Sequence, residues 1–261
     1  VGWQGAFYNI AKVFSGGVLV YLAGELEQRI GISNAWMVVM FCYGILMIGL
    51  GIYNSRALPN SQEEAKTTSL KEGFATLKDV IVTFFQKKNI WYSLLFVVFY
   101  RFAEGQAIKI IPLFFKADRS EGGLGLSTSE IGLLYGVFGA IAFVLGAILA
   151  GNYVAKKGLT RKTLLTLCAC FNIPFAAYAF LAIFVPTNLV VIATAVIVEY
   201  FGYGFGFVGI ILFTMQNIAP GKYKMAHYAF GSGLINLGFM LPSMLSGVLS
   251  DFMGYKVFFI W

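Results

Sequence analysis

An all-α, polytopic transmembrane helical bundle is the fold class this sequence predicts, on three observations. Of its 261 residues 59% are hydrophobic and only 12% charged, with a mean hydropathy of +0.78; a soluble domain carries about 25% charge and about 45–50% apolar residues. The apolar residues gather into runs of about 20, long enough to cross about 30 Å of hydrocarbon as helices. None of the runs alternates strictly over about ten residues, as a membrane barrel requires, so each must satisfy its own backbone as a helix. These figures exclude a soluble enzyme, a disordered chain and a nucleic-acid-binding domain. The net charge of +7 reads as topology-setting Lys and Arg rather than as a nucleic-acid footprint.

Seven apolar segments follow in order, at 4–24, 35–55, 90–115, 129–151, 162–185, 188–213 and 226–249, and an eighth begins near Val257. They fall into three parts. Residues 1–55 hold two spans, 56–89 form a polar linker, and 90–261 hold five spans and the start of a sixth. The chain begins in the run-up to one span and ends a few residues into another, so it reads as about two thirds of a longer protein.

Within the linker, Pro59–Ser69 is flexible by composition. After it Leu70, Phe74, Leu77, Ile81, Phe84 and Phe85 recur at helical spacing, with Lys71, Glu72, Lys78 and Asp79 between them. That pattern predicts an amphipathic helix on the membrane surface, or one packed on another part of the protein. With the linker placed in the cytoplasm, twelve basic residues fall inside and four (Arg29, Lys116, Arg119 and Lys256) outside. This positive-inside bias orients the bundle.

Charges inside spans are costly and point to function by default. Arg101 and Glu104 are three residues apart in the third span, on one helix face. The pair is either a self-neutralising ion pair, or Glu104 carries a coupling proton and Arg101 meets an anionic substrate. Glu199 lies alone in the sixth span; its partner comes from another helix, or it is protonated. Lys12, in the first span, either faces a cavity or partners a carboxylate. Lys109, nearer the outer end, reads as snorkelling. His227, at the inner start of the seventh span, reads as a structural interface residue, although its ordinary pKa suits proton chemistry. Tyr8, Asn9, Gln106 and Tyr203 complete the candidate cavity set, Tyr203 as a ring to stack on a sugar.

Gly204-Phe-Gly206-Phe-Val-Gly209 has the spacing of a dinucleotide fingerprint, but no strand precedes it. It reads as close helix packing, with Gly202/Gly206, Gly132/Gly136 and Gly146/Ala150 as small-residue pairs. Pro112, Pro174 and Pro242 are expected to kink their spans. Cys42, Cys168 and Cys170 lie in apolar stretches without metal-ligand spacing, and no phosphate-binding Gly-x-x-x-x-Gly-Lys-Ser/Thr loop occurs. The sequence therefore predicts no metal, no cofactor and no enzymatic activity.

The basic turn Gly151-Asn-Tyr-Val-Ala-Lys156-Lys157-Gly158-Leu-Thr-Arg161-Lys162 resembles the loop signature of major facilitator superfamily transporters. Gly151, Lys156, Gly158, Arg161 and Lys162 fit it, and Ala155 stands where the family has aspartate. That resemblance implies a twelve-span protein of two six-helix halves, with these segments as spans five to eleven and a gating role for the basic loop. Arg101-Phe-Ala-Glu104-Gly, Pro112-Leu-Phe-Phe, Leu124-Gly-Leu-Ser-Thr-Ser-Glu130-Ile-Gly132, Glu199-Tyr-Phe-Gly202-Tyr-Gly204, Tyr228-Ala229 and Ser246-Gly247 are similar to the muropeptide permease (AmpG-type) and acetyl-CoA transporter family. His227 departs from it, standing where such permeases have Gln, and the lysine expected near Tyr135–Gly136 is absent.

The resemblance implies proton-coupled uptake of a sugar–peptide or related anionic sugar across the bacterial inner membrane, by alternating access and as a monomer in the lipid bilayer. Glu104 and Glu199 would carry protons; Arg101 and Lys12 would meet carboxylates. The alternatives are an oligosaccharide–cation symporter or a drug–proton antiporter of the same superfamily and, in another class, a seven-helix receptor or sensor.

Overall fold

The computed structural model describes residue 11 and residues 14–57 and 70–261. Tyr8, Asn9 and Lys12 therefore lie outside the described residues. Among those described, every regular element is helical. A π-helical turn Phe14–Val18 leads into α1 (Leu19–Ile30). It is followed by α2 (Ile32–Ala57), α3 (Leu70–Phe85), α4 (Ile90–Tyr100) and α5 (Phe102–Lys116). Next, α6 (Thr128–Leu133) passes through a π-helical stretch into α7 (Ala140–Lys157). The remaining helices are α8 (Arg161–Asn172), α9 (Ala176–Phe184), α10 (Leu189–Phe213) and α11 (Lys224–Ile260). Five continuous stretches, Ile32–Ala57, Thr128–Lys157, Arg161–Phe184, Leu189–Ile218 and Lys224–Ile260, are long and apolar enough to cross a membrane.

Sequence-local chemistry explains the ends. Ser127 and Glu130 form a reciprocal capping box at the start of α6, satisfying donors the helix leaves orphaned. Thr160 and Asn188 cap α8 and α10 through their side chains. Gly158 closes α7 at φ 68°, a left-handed conformation that costs glycine little.

Of the three prolines expected to kink their spans, one marks a full break in its helix. Pro174 does sit in a 3-10 turn separating α8 from α9. Pro112 and Pro242, however, lie within helices that continue past them. The 90–116 segment divides instead at Arg101, which adopts φ −102°, ψ 6° between α4 and α5. α11 is interrupted at Gly254 (φ 71°, ψ 161°), so the last residues form a separate helical turn that returns Tyr255 and Phe259 against Phe114.

Glycine sets the closest packing. Side chains added at Gly202 and Gly206 would overlap the Cys170 and Leu167 carbonyls and the Pro174 and Phe171 side chains, and one at Gly204 would overlap the Phe143 carbonyl. α10 thus runs in van der Waals contact with α8–α9 on one side and α7 on the other, as the small-residue reading expects. Gly146 repeats this contact from α7 against the Phe201 carbonyl. Gly132 and Gly136 pack against Tyr21 and Gly17, and Gly24 packs against Ser129. This second glycine seam joins α1 to α6. At its end the Glu27 carboxylate accepts from the Trp36 indole (2.9 Å) and the Thr128 hydroxyl (3.0 Å).

Candidate functional site

A cavity of about 240 Å³ opens between α5, α6–α7, α9 and α10. Its wall holds two carboxylates, Glu104 and Glu199, four tyrosines, Tyr135, Tyr178, Tyr200 and Tyr203, and Phe143 and Phe175. Gly17 reaches it from the first segment. Glu104 and Glu199 lie 95 positions apart in sequence and near the middle of their segments, yet they share this one space.

The break at Arg101 builds the first half of the site. It gives α5 a helix N-terminus in mid-segment, with Glu104 in the first turn, where the helix dipole favours a negative charge. Arg101 caps the same break and folds back onto Glu104. Its Nε donates to Oε2 at 2.7 Å and its Nη2 to Oε1 at 2.9 Å. Such bidentate, charge-assisted pairs hold both groups in a fixed plane. The guanidinium also sits 4.6 Å from the Phe239 ring centroid and 5.7 Å from Phe207, and its Nη1 reaches Asn236 Oδ1 at 3.4 Å. Both partners are buried, Arg101 at 8% and Glu104 at 2% exposure, so neither can be lost cheaply. The self-neutralising pair predicted as one reading of the sequence is therefore formed.

The second half comes from α10. Glu199 is buried, and the Tyr178 hydroxyl of α9 donates to its Oε2 at 3.0 Å. A partner from another helix, one of the two readings of Glu199, is thus present as a phenol, itself fully buried. Tyr203 lies four residues on, on the same helix face. It shares the cavity wall with Glu104, bringing the acid-bearing face of α10 to that of α5. Its ring meets Phe143 at 5.2 Å and Tyr200 at 6.3 Å.

Not every candidate joins the site. Gln106 is two residues from Glu104 and so projects to the far side of α5. It lines a separate, largely apolar crevice of about 370 Å³ between α4–α5 and α11. Lys109 is exposed. The basic turn is far more open: Gly151, Lys156, Gly158, Arg161 and Lys162 are all exposed. Among the described residues no carboxylate lies within ion-pair distance of it. Tyr135, Tyr178, Tyr200 and Asn236 were not singled out from the sequence. Glu199-Tyr200 and the i, i+4 spacing to Tyr203 are visible in it. Tyr178 and Asn236 come from other helices, with no local signal.

The Major Facilitator Superfamily profile matches residues 1–247. The chain belongs to the Major Facilitator Superfamily. It is a multi-pass membrane protein, and the seven-helix receptor reading falls away. Among curated relatives, transporter AmpG 3 of Rickettsia typhi is 24% identical over 97% of this chain and 60% of its own length. Transporter AmpG 4 of Rickettsia conorii is 21% identical over 97% and 58%. The anhydromuropeptide permease of Escherichia coli is 21% identical over 97% and 48%. The chain thus spans about half to three fifths of the length of these relatives.

Proposed function

We propose that the protein containing this chain is a secondary transporter that takes up a sugar–peptide of the muropeptide type, or a related anionic sugar, across a bacterial inner membrane with protons. The observation that carries the proposal is the cavity in which two buried carboxylates from different helices meet a belt of phenols. Carboxylates accept from sugar hydroxyls and aromatic rings pack on the C–H faces of a pyranose, so this wall suits a sugar. The name of the Escherichia coli relative, anhydromuropeptide permease, supports the same class of substrate. Residues 1–55 and 90–261 belong to the two halves, with 56–89 as the cytoplasmic connection, and the basic 151–162 turn moves with the gate. The unit is a monomer that works by alternating access around the cavity.

The coupling step follows from the ion pair. While Glu104 is ionised, both of its oxygens hold Arg101 along the Nε/Nη2 edge of the guanidinium. Protonation of Glu104 weakens that hold and turns Arg101 toward a substrate carboxylate; departure of the substrate restores the pair and expels the proton. Glu199, kept in place by Tyr178, is the second proton-carrying group, and Lys12 is proposed to reach the same space.

The test is uptake of an anhydromuropeptide by the full-length protein in proteoliposomes under an imposed pH gradient. Glu104→Gln and Glu199→Gln are each expected to lower gradient-driven uptake by about tenfold or more, the loss of one general acid–base group. Normal uptake in both variants removes the proton assignment; absence of uptake by the unmutated protein, with uptake of another sugar, removes the substrate class.

A further inference from the structure

The linker helix is fastened to the start of α11 by a cluster of polar contacts unrelated to the cavity. Val80 and Phe84 of α3 are buried there, and Phe84 packs edge-on against Phe230 at 4.7 Å and against the His227 ring at 5.7 Å. Asp79 accepts from the Tyr223 hydroxyl at 2.7 Å and from Lys222 at 3.1 Å. Lys87, just past α3, donates to the Ile218 carbonyl. At the centre sits His227, 1% exposed. Its Nε2 lies 3.2 Å from the Val80 carbonyl and 3.2 Å from Thr83 Oγ1.

These contacts fix the state of the ring. The Val80 carbonyl can only accept, so Nε2 carries the proton. Nδ1 is then a bare lone pair, and it is buried with no hydrogen-bond partner. The junction therefore accommodates the neutral ring. Adding a proton at Nδ1 places a second N–H where nothing accepts it, and a full charge where water does not reach. The charged groups facing the ring offer no relief. Lys87 carries the same sign, and its own burial lowers its pKa. The Asp79 carboxylate is engaged by Lys222 and Tyr223. Lys224, on α11 itself, is basic and exposed.

We propose that His227 is a second proton-binding site, regulatory rather than transporting, whose protonation releases the linker helix α3 from α11. Docking needs the neutral ring, so it is strongest above the ordinary histidine range and weakens as the pH on the linker side falls below that range. A transporter that delivers protons to that side would loosen its own strap as they accumulate, yet the device works whether or not the cavity carries protons.

The test is hydrogen exchange of the α3 amides in the full-length protein in nanodiscs, corrected for intrinsic rate. On acidification from about pH 7.5 to about pH 5.5, α3 is expected to lose about tenfold protection, while the α10 amides keep theirs. In His227→Gln, which retains a donor for Val80 but cannot take up a proton, protection is expected to stay flat. Equal acid loosening in His227→Gln overturns the proposal, as does flat protection in the unmutated protein. The His227 ring resonance is followed in the unmutated protein, so the result does not hang on the variant. Its titration must accompany the loss of α3 protection, and a ring that titrates while α3 stays protected also overturns the assignment.

Discussion

Arg101 and Glu104 behave as one unit, and that decides what their substitution does. Arg101→Ala leaves a buried carboxylate without its bidentate partner and should cost about 3–5 kcal/mol. Arg101→Ala combined with Glu104→Ala removes both charges and should recover part of that loss. Thermal unfolding of the purified variants in detergent distinguishes the two; equal losses would mean the pair contributes little. Tyr178→Phe tests the other acid. It removes one hydrogen bond to Glu199 and no packing volume. The pH profile of uptake should move with little change in stability, since the phenol acts on the carboxylate rather than on the fold. An unmoved profile would assign Tyr178 to packing alone.

Elements carry the next set of consequences. α10 is wedged between α7 and α8–α9 by Gly202, Gly204 and Gly206. Gly204→Val should therefore destabilise by about 1–3 kcal/mol through overpacking, whereas Gly151→Val, where the structure shows open space, should be nearly neutral. A detergent melting series compares them. For α3, the Tyr223 hydroxyl and then Lys222 hold the Asp79 carboxyl below its ordinary value of 3.8. A carboxyl so lowered supports docking above its unfolded pKa and loses that support only as pH falls through the lowered value. The Asp79 contacts thus persist across the histidine range. Asp79→Asn should loosen α3 modestly near neutral pH, read as faster proteolysis at 86–89, without altering an acid response set by His227.

The amphipathic period of α3 was legible in the sequence, but its docking face was not. Of the apolar stripe, Phe74, Leu77 and Ile81 are exposed, whereas the helix packs through Phe84 and through Val80, which lies outside the stripe. Periodicity identifies a face that avoids water and does not identify its neighbour. The same limit explains the helix breaks. Pro112 and Pro242 were visible and lie inside continuous helices. Pro174 makes one interruption; Arg101 and Gly254 make the others, because a buried ion pair and a tertiary turn determine them.

At the scale of the whole molecule, composition and segment length were enough to read an all-α membrane bundle, and the basic turn with the Glu104 and Glu199 stretches was enough to read the superfamily. What the sequence could not supply is the meeting of the two acids. It depends on four helices and on Tyr178 and Tyr203, whose partners are set by packing rather than by spacing. The two-residue spacing already sets Gln106 opposite Glu104 on α5, but only the packing of α11 shows which of the two faces meets the cavity.

The central claim is that the paired acids of one cavity move protons with substrate, and the most direct measurement is proton flux. The full-length protein in liposomes, with no imposed gradient and a pH-sensitive dye outside, receives a pulse of the proposed sugar–peptide. The account predicts external alkalinisation that tracks substrate entry and disappears in the Glu104→Gln, Glu199→Gln double variant. Substrate entry with no change in external pH, or alkalinisation preserved in the double variant, would contradict it.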